Sequence, residues 1–279
     1  MWRGKQLTSN ELRDLSQKLE KIGYYSVLLT FHSESPDYLI KSAAALVPGD
    51  KLKYMIALRP YHISPQYCAM LIEGYNQIES DRLMFNWIAG DHHNRPEEKP
   101  QVDVFGNSEI IDNIDKRKQF LRYFVGEVIS NKIIKHMPEM IFSGYSDYTV
   151  NTANIFNSGT LCMLDDYRKN KNLLSINKRK MVSVSVIVAK DQLEKNLYIE
   201  KIKKTQERAL GFTIVGSPEE IKKQLVDLEK EGITDVLLYT NYPSGPEFFG
   251  YDDNKNDILV NTIIKEILED SKVNNESKK

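Results

Sequence analysis

Three runs decide the fold: Tyr25-Ser-Val-Leu-Leu-Thr-Phe31, Leu52-Lys-Tyr-Met-Ile-Ala-Leu58 and Leu83-Met-Phe-Asn-Trp-Ile88. Each is short and rich in aliphatic, aromatic and β-branched residues, which predicts strands. Between them stand two helix signals. Ser35-Pro36 offers an N-cap and a first-turn proline for a helix through Leu46, and Ser64-Pro65 does the same for a helix to about Glu79. Nearly continuous apolar strands that alternate with helices predict a parallel sheet, because each crossover lays a helix on the sheet and buries both of its faces.

The pattern extends in both directions. On the amino-terminal side, Thr8 to Glu11 reads as a capping box, Leu12, Leu15, Leu19 and Ile22 form a helical stripe, and Gly23 stops it. On the carboxyl-terminal side, a charged loop at about Gly90 to Asn113 precedes a helix from Ile114 to about Ser130. Met140–Phe142 and Thr160–Leu164 are expected strands flanking a helical stretch. Met181–Val188 is expected as a strand, followed by a helix from about Lys190 to Leu210. Ser217-Pro218-Glu219-Glu220 starts another helix, Gly232 closes it, Val236–Thr240 is the last expected strand, and Asp257–Asp270 the last helix.

These elements predict one domain over residues 1–270, with 271–279 as a disordered tail. The fold class is α/β. The expected architecture is a TIM-like (β/α)8 barrel rather than an open doubly wound sheet, and such barrels commonly fill about 250 residues. Because a helix comes first, the first strand is lacking or is replaced by Met1 to Leu7. A barrel without it exposes two strand edges, so that segment or a partner subunit is expected to cover them.

Composition narrows the function. The 279 residues include 38 basic and 39 acidic side chains, a net charge of -1, so no global field favours nucleic acid or an acidic membrane. No apolar run is long enough to span a bilayer. The two cysteines, Cys68 and Cys162, have no metal-site or disulfide spacing, and with no secretion signal at Met1–Leu7 the expected setting is the cytoplasm. No GxGxxG, GxxxxGK[ST] or GxSxG occurs, which argues against dinucleotide-binding, P-loop and serine-hydrolase chemistry.

The active face of a parallel α/β fold is the carboxyl end of its strands. There the chain places His32, His62, His92 and His93, with Glu34 and Asp91 nearby. They are candidates for metal ligation or proton transfer, or are loop residues without a chemical role. No HxH, HxxxH or HExxH spacing supports a metal, so none is expected. Ser143-Gly144-Tyr145-Ser146-Asp147 runs from a strand into a helix, where free N–H groups and the helix dipole attract an anion; the same residues also make an ordinary N-cap.

Several blocks resemble one family. Gly23-Tyr-Tyr-Ser-Val-Leu-Leu29, Ala43-Ala-Ala-Leu46, Leu52 to Pro60, Ser64-Pro65 and Arg82 to Gly90 look like the bacterial luciferase-like flavin-dependent monooxygenases, nearest to the alkanesulfonate monooxygenase branch. Ser143–Asp147, Val215–Glu219 and Tyr242-Pro243 continue the match. The resemblance implies a TIM-like barrel that uses reduced FMN or, in one branch, the deazaflavin F420. It implies flavin rings over the strand ends carrying Leu58 and Asn86 to Gly90, including Ala89, and the phosphate at Gly144, Tyr145 and Ser146. Tyr242 would face the substrate, and His32, His62 and His92 join it as candidates for proton transfer.

The chain also departs from the branch. Glu34 stands where that branch has a cysteine, Ser183 and Ser185 where it has arginine and histidine, and Arg117-Lys118 at its Arg-Tyr pair. The insertion before the last strand is largely deleted. The expected function is oxidation of a small organic substrate by dioxygen and reduced FMN, which a separate NAD(P)H-dependent flavin reductase supplies, in a homo- or hetero-oligomer. The alternatives are a non-catalytic barrel serving as a partner subunit, and a metal-dependent hydrolase built on the histidine rim.

Overall fold

The computed structural model describes residues 7–30, 37–90, 113–239 and 253–276, without the side chains of His62 and of residues 253–254 and 272–276. Thr8 caps the first helix, α1 (Ser9–Ile22), through the full capping box with Glu11. The helix ends at Gly23, whose φ of 107° is the left-handed conformation that glycine adopts without strain. A Cβ at Gly23 would also lie 2.9 Å from Leu268 Cδ1, so the last helix of the chain packs directly on this turn.

Strand β1 (Ser26–Leu29) follows, then α2 (Tyr38–Ala45) and β2 (Lys53–Leu58). The N-cap of α2 is Asp37, whose carboxylate accepts from the N–H groups of Leu39 and Ile40. Ser35-Pro36, the expected cap, lies outside the described residues; an aspartate directly before the first turn serves the same chemistry. After β2 come a 3-10 turn at Pro60–His62, helix α3 (Pro65–Ile78) capped by Ser64 as expected, and β3 (Leu83–Trp87).

Helix α4 (Ile114–Ile129), β4 (Glu139–Ser143), α5 (Asp147–Ile155) and β5 (Gly159–Met163) continue the alternation. Two short helices, α6 (Leu164–Lys169) and α7 (Lys171–Leu174), lead to the long β6 (Lys180–Val188). The expected helix after it breaks in two: α8 spans Gln192–Gln206, and Glu207–Phe212 is a 3-10 segment. A strand the sequence reading missed, β7 (Thr213–Gly216), comes next, before α9 (Pro218–Lys230) with its Ser217–Glu220 capping box. Strand β8 (Asp235–Tyr239) and α10 (Asp253–Glu276) complete the order, so the last helix runs on past Asp270 into the expected tail.

All described strand pairings are parallel, in the order β1 to β7, with β8 on β6. The nine residues of β6 allow this: Met181–Ser185 pair β8 and Ser185–Val188 pair β7. The sheet curls until its two ends meet inside. Leu28 of β1 and Leu237 of β8 belong to one interior cluster with Met55, Met84, Ile141, Leu161 and Met181. Alternate residues such as Val27, Tyr54, Phe85, Phe142, Val182 and Val184 face the helices in two larger clusters. This is a parallel α/β barrel, as the alternation predicts.

The strand layer does not close among the described residues. β1 pairs only with β2 and β8 only with β6, and between their amino-terminal ends lies a groove of about 780 Å³ lined by Tyr24, Ser26, Val236, Leu238, Ile264 and Ile267. The helical layer does close there: α10 packs on α1, and Tyr24 Oη donates to Asn261 Oδ1 at 2.9 Å. Of the segment expected to fill the gap, Met1–Gln6 lies outside the described residues. Leu7 is on no strand; its carbonyl accepts from Lys41 Nζ of α2 at 2.7 Å.

Candidate functional site

The two ends of the barrel differ in chemistry. At the amino-terminal end, Glu139 Oε1 accepts from Lys53 Nζ at 2.5 Å and from the Tyr25 hydroxyl, and Glu139 Oε2 accepts from Arg179 Nη1 at 2.5 Å. Arg179 also forks onto Asp235, with bonds of 3.0 and 2.7 Å. Burial pushes the Glu139 carboxyl upward, but the bonds from Lys53, Tyr25 and Arg179 outweigh it and hold the group at about 2. These groups tie together the starts of β1, β2, β4, β6 and β8 by electrostatic pairing across the strands.

At the carboxyl end, several described interior strand positions above the apolar layer are small and neutral, and the buried Arg59 stands two residues beyond Ala57 in extended backbone. Two residues beyond Met55, Met84, Ile141 and Met181 stand Ala57, Asn86, Ser143 and Ser183, with Ser185 above Ser183. Period-two alternation turns all of them into the barrel. Asn86 is 3% exposed, Ser183 3% and Ser185 0%. Ser143 Oγ donates to Asn86 Oδ1 at 2.7 Å, which fixes the amide.

The phosphate candidates lie beside this layer. Gly144 has φ 131°, and its N–H already donates to Leu161 O at 2.9 Å, extending the β4–β5 ladder. Ser146 is the N-cap of α5: its Oγ accepts from Thr149 N and lies 3.0 Å from Thr149 Oγ1. Tyr145 is 40% exposed. Asp147, in the first turn, sets a carboxylate beside the free N–H groups and weakens the attraction for an anion. Leu58 and Ala89 pack with the helix-facing cluster rather than the interior one, and Gly90 follows β3 with φ 79°.

Of the histidine rim, His32, His92, His93, Glu34 and Asp91 lie outside the described residues, as does Tyr242. The backbone of His62 closes the 3-10 turn after β2. Among the described residues no three His, Cys, Asp or Glu side chains are grouped to hold a metal. Burial pushes both thiols, Cys68 and Cys162, up to about 12, so neither supplies a thiolate near neutral pH.

The structure gives weight to three features that the sequence reading left without a structural role. Ser183 and Ser185 registered only as departures from a family pattern, although serines at alternate positions of an otherwise apolar strand signal a polar interior face. Arg59 and Arg117, 6% and 3% exposed, flank Tyr61, which stacks on Phe120 with ring centroids 6.3 Å apart. Asp165 and Asp166 stand just beyond β5; burial and the neighbouring Asp165 raise Asp166, while Lys169 and Arg208 partner the pair at 3.2 and 3.5 Å.

No family model matches the chain. Solved structures do. A coenzyme F420-dependent tetrahydromethanopterin reductase from Methanopyrus kandleri superposes with a TM-score of 0.62 at 16% identity, over 92% of this chain and 94% of that one. The oxygenating constituent of 3,6-diketocamphane monooxygenase from Pseudomonas putida, in complex with FMN, gives 0.62 at 14% identity, over 85% and 87%. EDTA monooxygenase from Chelativorans sp. BNC1 gives 0.65 at 13% identity, over 92% and 86%. The chain shares their fold. At such identities the likeness concerns architecture alone, and it extends over most of each chain.

Proposed function

We propose that this protein is a flavin-dependent oxidoreductase of the luciferase-like kind, acting on a small organic substrate with dioxygen and reduced FMN. The observation that carries the reading is the buried, uncharged polar layer of Asn86, Ser143, Ser183 and Ser185 at the carboxyl end of a barrel whose fold is shared with FMN- and F420-using enzymes. A flavin ring system is neutral, flat and edged with hydrogen-bonding groups, and such a layer accommodates it. When bound, the flavin supplies the electron transfer to dioxygen. The chain's own part is to seat the ring, hold the substrate beside it and exclude water.

Asn86 would direct a neutral acceptor through its amide, with Ser143 holding that amide in place. Gly144, Tyr145 and Ser146 would approach the phosphate through backbone N–H groups other than the one Gly144 has committed to Leu161. His32, His62, His92 and Tyr242 remain the proposed groups for proton transfer, and Gly90 the proposed border of the ring site, with Leu58 and Ala89 supporting it from the helix-facing side. FMN is preferred to F420. A separate NAD(P)H-dependent reductase would supply the reduced cofactor in the cytoplasm, to an assembly of more than one chain.

The test is a flavin titration of the wild type, Ser146→Ala and Ser146→Asp. FMN should bind the wild type, with Ser146→Ala weaker by about fivefold and Ser146→Asp weaker still, because it adds a second carboxylate beside Asp147. Equal affinity in all three variants would move the phosphate away from α5. No binding of FMN or F420 by the wild type would leave the non-catalytic partner barrel as the better reading.

A further inference from the structure

The outer face of α2 and α3 carries no exposed charge. The 8 residues of α2 and the 14 of α3 contain two charged side chains, Lys41 and Glu73, and neither is exposed. Lys41 Nζ donates to Leu7 O at 2.7 Å. Glu73, 7% exposed, accepts from Lys135 N at 3.1 Å and from Gln77 Nε2 at 3.4 Å. Other helices of the outer layer differ: α1 holds six charged side chains in 14 residues, α8 six in 15 and α9 seven in 13. A helix laid on a barrel ordinarily turns such a polar side to water.

What α3 turns outward instead is an apolar stripe. Tyr67, Met70, Gly74 and Ile78 follow one another at steps of three, four and four residues, which sets them on one side of the helix. Tyr67 is 52% exposed, Met70 50% and Ile78 60%. On α2, Ile40 is 68% exposed, and Ala44 is exposed one turn further on. The two helices are neighbours: the Tyr75 hydroxyl of α3 lies beside Ser42 of α2, and Tyr75 shares a buried cluster with Ala45. Exposed apolar side chains gathered into one patch mark an interaction surface.

Charge and shape choose the occupant. The face lacks the basic residues that hold a helix on an acidic membrane. A partner bringing charge to it would bury that charge unpaired, so the face fits a surface as neutral as itself. A second copy of the chain supplies one. Gly74 stands mid-stripe, a Cβ there would meet nothing within 4 Å, and Met70 and Ile78 rise one turn to either side. A two-fold axis at Gly74 sets this low point against its own image and lets the two backbones approach between the larger side chains. Glycine weakens a helix interior, and close approach of a partner gives its place here a use. Each half-exposed large side chain presents about 100 Å². Four of them supply about half of the roughly 800 Å² that each partner of a specific interface buries, before the residues between them contribute.

We infer that α2 and α3 form the face through which two copies of this chain associate, with Gly74 of α3 at the two-fold axis. The inference needs no cofactor. It stands or falls on mass and cross-linking, whatever a flavin titration gives.

The test is sedimentation equilibrium of the full chain from low to high micromolar concentration. The wild type should sediment at twice its 32.3 kDa. Gly74→Arg fits the single chain, because the space above Gly74 is open, yet it drives a charge into the contact. It should weaken association by about thirtyfold or more, the scale of a central interface residue, and Met70→Glu should do the same. Leu193→Arg on α8, at a position 80% exposed, should leave the mass unchanged. Under mild oxidation Gly74→Cys should link two chains and Leu193→Cys should not. Circular dichroism and melting temperature check that each variant folds, and Gly74→Cys in the otherwise native chain carries the test if the charged variants do not.

A wild type that stays monomeric throughout overturns the inference and leaves the face to a different protein. So does a dimer that ignores both Gly74→Arg and Met70→Glu, or one that Leu193→Arg breaks equally. A dimer that Met70→Glu breaks while Gly74→Arg and Gly74→Cys leave it unaltered and unlinked overturns the axis at Gly74.

Discussion

The amino-terminal end of the barrel binds its strands through a network of charged pairs, whereas the described interior positions at the carboxyl end are mostly small and neutral. Glu139 takes bonds from three side chains and Arg179 shares its guanidinium between two carboxylates. Asn86, in contrast, has its Oδ1 held by the neutral Ser143 hydroxyl, with neutral Ser183 and Ser185 at interior positions of β6. The difference teaches how to separate groups that stabilise the barrel from those free to take other roles. Charged groups that satisfy one another hold strands together, and small neutral groups at interior positions carry little of that load.

The largest expected effect comes from breaking the charged end. Arg179→Ala would strand Glu139 and Asp235 near each other without their shared cation. Removing one partner of a partly buried network typically costs about 2–3 kcal/mol, or roughly 5–10 °C in melting temperature. Thermal unfolding by circular dichroism checks this, and an unchanged midpoint would mean that the network is solvated and idle.

Acid should loosen the same end next. The folded-state Glu139 carboxyl lies at about 2, below its ordinary 4.5, so its contribution is complete above about pH 4.5 and declines as pH falls toward 2. Urea midpoints measured across that window should fall more steeply for the wild type than for Glu139→Gln, which has nothing to protonate. Parallel curves would remove the carboxylate from the account of stability.

The smallest effect on stability is expected at the neutral end. Ser183→Ala removes a hydroxyl with no described partner, so the midpoint should stay within about 0.5 kcal/mol of the wild type. A destabilisation as large as that of Arg179→Ala would show that the hydroxyl is already satisfied in the free protein, and the contrast between the two ends would collapse.

Legibility in the sequence followed the range of the interaction. Ser64-Pro65, Thr8–Glu11 and Ser217–Glu220 announce helix starts because the N-cap bond spans three residues, and all three stand in the structure. The four residues of β7 were missed because Thr213–Gly216 lies between a helical stretch and a strong helix start, too short to show a period. The site was legible only as a location. The turn at Ser143–Asp147 was recognisable, but the commitment of the Gly144 N–H to Leu161 depends on a strand that begins fifteen residues later.

The sequence by itself determined the alternation of parallel strands with helices, because apolar period and capping chemistry are local and the chain needs no partner to express them. Only the tertiary structure decided which polar residues matter. Ser183 and Asn86 come to the same barrel interior only when the curl of the sheet buries both, 97 positions apart. Lys53, Glu139, Arg179 and Asp235 become a clasp when β2, β4, β6 and β8 bring their first turns of chain together. Burial and electrostatic pairing act through space, and a sequence carries no distances until the barrel supplies them.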